Sequence, residues 1–162
     1  MSISRRSLII VLSVVAGLMA AGVTAWLAHR KFVPPMSADD PRQVTLGASV
    51  YAARCASCHG ANLEGQPDWQ QRQANGRLPA PPHDASGHTW HHPDEVLFGI
   101  TKNGITPYAP AGYQSDMPAF AGVLTDDEIA AALAYIKSRW PADIRARQTH
   151  IDKQWNDQGI TP

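Results

Sequence analysis

The chain has almost nothing with which to cross-link itself. Among 162 residues there are only two cysteines, Cys55 and Cys58. With two residues between them, they sit too close to staple distant parts of a fold, which excludes a disulfide-framed scaffold. An excess of charge of one sign is also missing, because 14 basic residues balance 14 acidic ones. The balance is uneven along the chain. The first 31 residues carry Arg5, Arg6, Arg30 and Lys31 and no acid, so the remainder holds ten basic and fourteen acidic residues, a net of −4. A mildly acidic body lacks the basic face that nucleic-acid binding requires, and no nucleic-acid partner is expected. No convincing alternation of apolar and polar residues marks a half-buried strand. Methionine is scarce as well: Met1, Met19, Met36 and Met117.

What is present begins with an apolar run. Residues 8–27 contain no charge, and as a helix they would span roughly 30 Å, the thickness of a bilayer core. Arg5 and Arg6 precede the run, His29, Arg30 and Lys31 follow it, and Trp26 falls near its end, where aromatic residues favour the interface. The run is apolar on every face, which argues against a buried helix of a soluble domain. Its length favours an uncleaved signal anchor (residues 1–31) over a cleaved signal peptide, whose apolar part runs to about 7–15 residues. Cleavage after Val23-Thr24-Ala25 is the alternative. Ser4-Arg5-Arg6-Ser7-Leu8 also resembles a twin-arginine export signal, set against a plain positive N-terminal region. Basic residues flank both ends almost equally, so charge does not set the orientation. Residues 32–43 read as a linker, since Val33-Pro34-Pro35 and Asp39-Asp40-Pro41 disfavour helix.

Residues 55–59 decide the chemistry. Cys55-Ala56-Ser57-Cys58-His59 is C-x-x-C-H, the attachment pattern of a c-type haem. Two thiols one helical turn apart can reach the two vinyl groups of one porphyrin as thioethers, and the next residue, His59, is then placed to ligate the iron. A redox dithiol would need a βαβ context, and a zinc site would need a second ligand pair. Neither is present. The expected cofactor is therefore one covalently bound haem c. Elimination points to Met117 as the sixth iron ligand. Met1 and Met19 lie in the export segment, Met36 lies in the linker, and only Met117 follows the haem motif. Pro118 after it suits a loop that must present sulfur at one place. The bland reading makes Met117 core filler. His/Met ligation raises the potential relative to bis-His and leaves no open position for substrate.

Three helices are expected to enclose the haem. One covers about residues 44–54, with Leu46, Val50 and Tyr51 on one face. A second covers about residues 93–103, with Pro93 at the first helical position, Asp94 and Glu95 in the first turn and Gly104 at the stop. The third opens on Thr125-Asp126-Asp127-Glu128, a capping box with Leu124 and Ile129 as its staple. It continues through Leu133 and Ile136 to a stop at Pro141. The expected fold class is all-α, with long loops around the cofactor. The tail, residues 141–162, has Ile144, Ile151 and Trp155 at roughly helical spacing. It reads as a helix lying on the domain or as a partner contact.

Together these features make residues 44–140 resemble the class I c-type cytochrome family. The matching residues are Gly47-x-x-x-Tyr51 ahead of Cys55-x-x-Cys58-His59, then Met117-Pro118-Ala119-Phe120, then Ala134-Tyr135-Ile136-Lys137. The resemblance implies that the first and last helices cross with Gly47 and Tyr51 packed on Ala132 and Tyr135. It implies a proline carbonyl, of Pro81 or Pro82, accepting a hydrogen bond from His59. It also implies haem attachment outside the cytoplasm, hence an N-terminus inside and a haem domain in the periplasm. The expected function is electron transfer, not catalysis, between a dehydrogenase or quinol-oxidising complex and a terminal oxidase or reductase. The partners would be redox proteins and, through residues 1–31, the membrane. The rival is a haem sensor or weak peroxidase with an open sixth position.

Residues 60–92 depart from the smallest members of the family. They hold Trp69, Trp90, His83, His88, His91 and His92. His88 and His91 could share a helical face and hold a metal, or one of the four histidines could replace Met117. Turn, cap or haem-edge packing is the plainer reading. Trp90, Tyr108 and Tyr113 are candidate donors to a haem propionate, with simple packing as the alternative.

Overall fold

The computed structural model describes residues 33–159, together with Val15, Gly17 and Met19. Apart from those three positions the expected anchor, residues 1–31, lies outside the described residues. Among the described residues no helix is long and apolar enough to cross a membrane. The chain from Val33 onward forms one compact unit, all-helical, with no strand among the described residues.

Helix α1 spans Pro41–Arg54 and starts three residues before the expected position. The Asp40 carboxylate accepts from the backbone N–H groups of Arg42 and Gln43, and Pro41 occupies the first helical position. A proline that would break a helix interior is suited to its start, where no N–H is needed. The segment before it is not a free linker. The Gln43 side chain accepts from Ser37 N–H at 2.7 Å and donates to Pro35 O at 2.8 Å. Met36 is only 7% exposed and belongs to the core.

A short helix, α2 (Ala56–His59), follows α1 across Cys55. Helix α3 spans Asp94–Asn103, with Val96, Leu97, Phe98 and Gly99 buried. Pro93 is its N-cap, one position earlier than expected, and Gly104 ends it at φ +83°. The Asp94 N–H is capped from outside, by the Asp152 carboxylate at 2.8 Å. Helix α4 spans Asp126–Ser138 and carries the capping box as expected. Thr125 Oγ1 accepts from Glu128 N–H at 3.2 Å, and Glu128 Oε2 accepts from Thr125 N–H at 2.8 Å.

Helices α1 and α4 cross at Gly47. A Cβ there would overlap the Ala131 carbonyl and come within 2.9 Å of Tyr135 Cβ. The close partner is therefore Ala131, one residue before the expected Ala132, while Tyr51 meets Tyr135 as expected, at a ring separation of 5.4 Å.

Pro141 stops α4 and at once opens a further helix, α5 (Ala142–Gln158). Polar ties from four α5 side chains hold it on the domain. The 1%-exposed Gln148 donates to Asp94 Oδ1 at 2.7 Å, and Trp155 Nε1 donates to Glu95 Oε2 at 3.1 Å. Asp152 caps Asp94, and Arg145 pairs with Asp39 at 3.1 Å. Asp94 also takes Lys137 of α4 at 2.7 Å, so one carboxylate at the head of α3 joins three helices. The tail is a packed helix, held mainly by polar contacts.

Candidate haem site

The two cysteines sit where α1 passes into α2. Cys55 N–H still donates to Tyr51 O, and His59 N–H donates to Cys55 O, both at 2.9 Å. The backbone therefore makes one helical turn between the thiols and delivers His59 directly after them. Cys55 is partly buried against the core and Cys58 is exposed. Burial, and then the neighbouring Cys58, push the Cys55 pKa up to about 11. An activated redox thiol needs a depressed pKa, the opposite direction to that at Cys55, and it is the one-turn spacing of the two thiols that suits thioether attachment.

His59 is 7% exposed. Its Nδ1 lies 2.8 Å from Pro81 O, which fixes the tautomer with hydrogen on Nδ1 and leaves Nε2 with its lone pair. Of the two candidate prolines, Pro81 is the one that bonds. Burial lowers the pKa of His59, opposed by the bond to Pro81, so the imidazole is held neutral, the form that binds a metal.

The chain after His59 is strapped to the chain around Pro81. Tyr51 Oη donates to Gly60 O at 2.9 Å. Leu63, 1% exposed and at φ +71°, accepts from the N–H groups of His83 and Asp84 at 2.8 and 3.2 Å. Gln66 and Ala80 bond twice, Gln66 N–H to Ala80 O and Ala80 N–H to Gln66 Oε1, each at 2.9 Å. Residues 67–79 loop out beyond that pair.

Met117 is partly buried and packs against the core, with its N–H donating to Ser115 Oγ at 3.0 Å. The segment is pinned just after it, where Phe120 N–H donates to Thr101 O at 3.1 Å and Ala121 N–H to Lys102 O at 2.9 Å. Met36 sits instead beside Lys137 and Gln148, in a cleft of about 450 Å³ between the 36–39 segment and α5.

The histidines of 60–92 divide. His83 lies on the His59 side, its ring stacked on that of His59 at 4.0 Å and 24°. Sequence reasoning missed this contact. The available signal was its place two residues after Pro81, since a proline that reaches His59 brings His83 with it. His88 stacks on Trp69 at 5.6 Å and meets His92 edge-on at 5.3 Å, and His91 stacks on Trp90 at 3.6 Å. His88 and His91 do not share an α-helical face, because Thr89–His91 is a single 3₁₀ turn. Among the described residues no group of three or more His, Cys, Asp or Glu side chains could hold a metal ion. Of the candidate propionate donors, Trp90 Nε1 donates to Ala85 O at 3.4 Å, and Tyr113 lies under the Arg72 guanidinium at 5.7 Å. The Tyr108 hydroxyl lies against Gly99.

Burial, followed by neighbouring imidazoles, lowers the pKa of both His88 and His92. Lowered values mean that the unfolded chain binds protons that the folded chain refuses. Stability is then full above the ordinary histidine value of about 6.5 and falls as pH drops below it. Guanidinium unfolding at pH 7.5 and 5.5 should show lower stability at the acidic value, and the His88→Gln/His92→Gln protein should show a smaller decline. An equal decline in both proteins would rule these two groups out.

Two thiols one turn apart, a neutral imidazole with Nε2 free and a thioether on a pinned segment suit a covalently held haem. A helical shell around C-x-x-C-H is the mark of a c-type haem protein. Residues 44–140 match the cytochrome c family model, and the chain belongs to that family. It is 33% identical to cytochrome c6 of Tetradesmus obliquus over 101 residues, which cover 62% of this chain and 94% of that protein. No solved structure matches significantly. Membership carries a covalently bound haem c and haem-based electron transfer: the chain is an electron carrier and not an enzyme.

Proposed function

We propose that Cys55 and Cys58 carry the haem thioethers, that His59 is the proximal ligand and that Met117 is the sixth. The carrier works tethered by residues 1–31 to the outer face of the inner membrane, with residues 44–140 as its haem domain in the periplasm. It passes electrons between a dehydrogenase or quinol-oxidising complex and a terminal oxidase or reductase. The observation that carries the ligand reading is the 2.8 Å contact of His59 Nδ1 with Pro81 O, which puts the hydrogen on Nδ1 and leaves the Nε2 lone pair for the iron. When bound, the haem iron supplies a one-electron couple. The residues of this chain do the rest: Pro81 orients His59, burial keeps it unprotonated, and the pinned 117–121 segment presents a soft, neutral sulfur that favours the reduced state. Docking to redox partners would be small and transient.

Absorption spectra of the oxidised and reduced protein test this, with acid–acetone extraction as the check on attachment. The expected result is a six-coordinate low-spin spectrum, a weak far-red sulfur-to-iron band when oxidised, and haem retained on extraction. A high-spin spectrum that shifts on adding carbon monoxide or cyanide would overturn Met117 ligation in favour of a sensor or peroxidase. Loss of haem, from protein matured in a host competent for attachment, would overturn the thioether assignment.

A further inference from the structure

The geometry points to His83 as a positioning residue for His59, its ring holding the plane of the axial imidazole and shielding one face of it from water. This rests on His59 being the proximal ligand. A hydrogen bond from Nδ1 to Pro81 O anchors one edge of the His59 ring, yet a single hydrogen bond tolerates some rotation of the ring about Cβ–Cγ. The second restraint has to press on the flat face. His83 does so, with ring centroids 4.0 Å apart and planes 24° from parallel.

His83 is itself held from several sides. Its N–H donates to Leu63 O at 2.8 Å, and its carbonyl accepts from the buried Trp140 Nε1 at 2.7 Å. Its Nδ1 lies 2.8 Å from Thr89 Oγ1, and the Tyr51 ring meets it edge-on. Pro81 and His83 lie on the same three-residue stretch, so one strap sets both the tilt and the rotation of His59. An aliphatic residue would fill the same space without offering a plane.

Full-length haem-loaded protein carrying His83→Phe, His83→Leu or His83→Ala tests this, read by the hyperfine-shifted haem methyl signals of the oxidised form and by the midpoint potential. The methyl pattern reports the orientation of the axial imidazole plane. Phe should keep the wild-type pattern, and Leu should change it at similar volume. Ala should change the pattern and also lower the potential, because water reaching the ligand favours the more highly charged oxidised iron. Should Ala not fold, the Leu and Phe proteins still decide. A wild-type pattern in the Leu protein would overturn the role of His83. A wild-type spectrum without low-spin histidine ligation would overturn instead the reading of His59 on which it rests.

Discussion

Met117→Ala protein is expected to lose its low-spin spectrum, bind carbon monoxide when reduced, and show a markedly altered potential. Axial ligand identity spans about 0.8 V across haem proteins, so no other single side chain here should move the electron-transfer properties as far. The fold should survive, because Met117 is only partly buried and its segment is held by the backbone bonds of Phe120 and Ala121. Met117→His should restore six-coordination at a lower potential, since a second imidazole stabilises the oxidised iron relative to a thioether. Met36→Ala is the control with the opposite profile. Met36 is buried in the core, so its loss should cost about 2–4 kcal/mol and leave the spectrum alone. Redox titration and carbon monoxide binding on the three proteins would separate ligation from packing. An unchanged Met117→Ala spectrum would sink the proposed sixth ligand.

Gly47→Ala should be among the most damaging small substitutions outside the site. Alanine would ordinarily help a helix interior by about 0.5–1 kcal/mol over glycine. Here the added methyl meets the Ala131 carbonyl, which is backbone inside α4 and cannot swing aside. Overpacking of this kind costs about 1–3 kcal/mol, and the two helices would have to separate along their length to relieve it. The net expectation is a loss of about 2 kcal/mol and a fall in Tm on the order of 5–10 °C, measured by thermal unfolding of the haem-loaded protein. A variant as stable as the wild type would mean that the helices do not approach so closely.

Features set by neighbours along the chain are legible from the residues alone. The C-x-x-C-H turn, the Thr125–Glu128 capping box and the Gly104 stop all depend on local backbone geometry, and all three are found. Prolines are harder, because one residue has opposite meanings inside a helix and at its start. Pro41 reads as a breaker yet begins α1, and Pro141 both stops α4 and opens α5. The features that escape the sequence are set by contacts between distant segments. Whether Pro81 or Pro82 turns its carbonyl to His59 depends on the strap to Leu63 and Gln66. That Met36 is core, that Gln148 is buried, and that Asp152 caps a helix 58 residues away all follow from where α5 lies. None of these leaves a periodicity to read. His83 is the clearest case, since its place two residues after Pro81 is the one local sign of which of the four histidines lands on the axial ligand.

The paired hydrogen bonds between Gln66 and Ala80 bear on how the loop beyond them can change. They close the loop 67–79 at its base, yet the loop reaches back to the site through Trp69 on His88, Arg72 on Tyr113 and Arg77 on Asp116, next to Met117. Loop closure depends on the logarithm of loop length, and even doubling a loop costs only about 0.6 kcal/mol. Length changes in this excursion are therefore cheap in chain entropy, and their cost falls on the contacts of Trp69, Arg72 and Arg77. The loop can change size without disturbing the iron's surroundings only while those three contacts are kept.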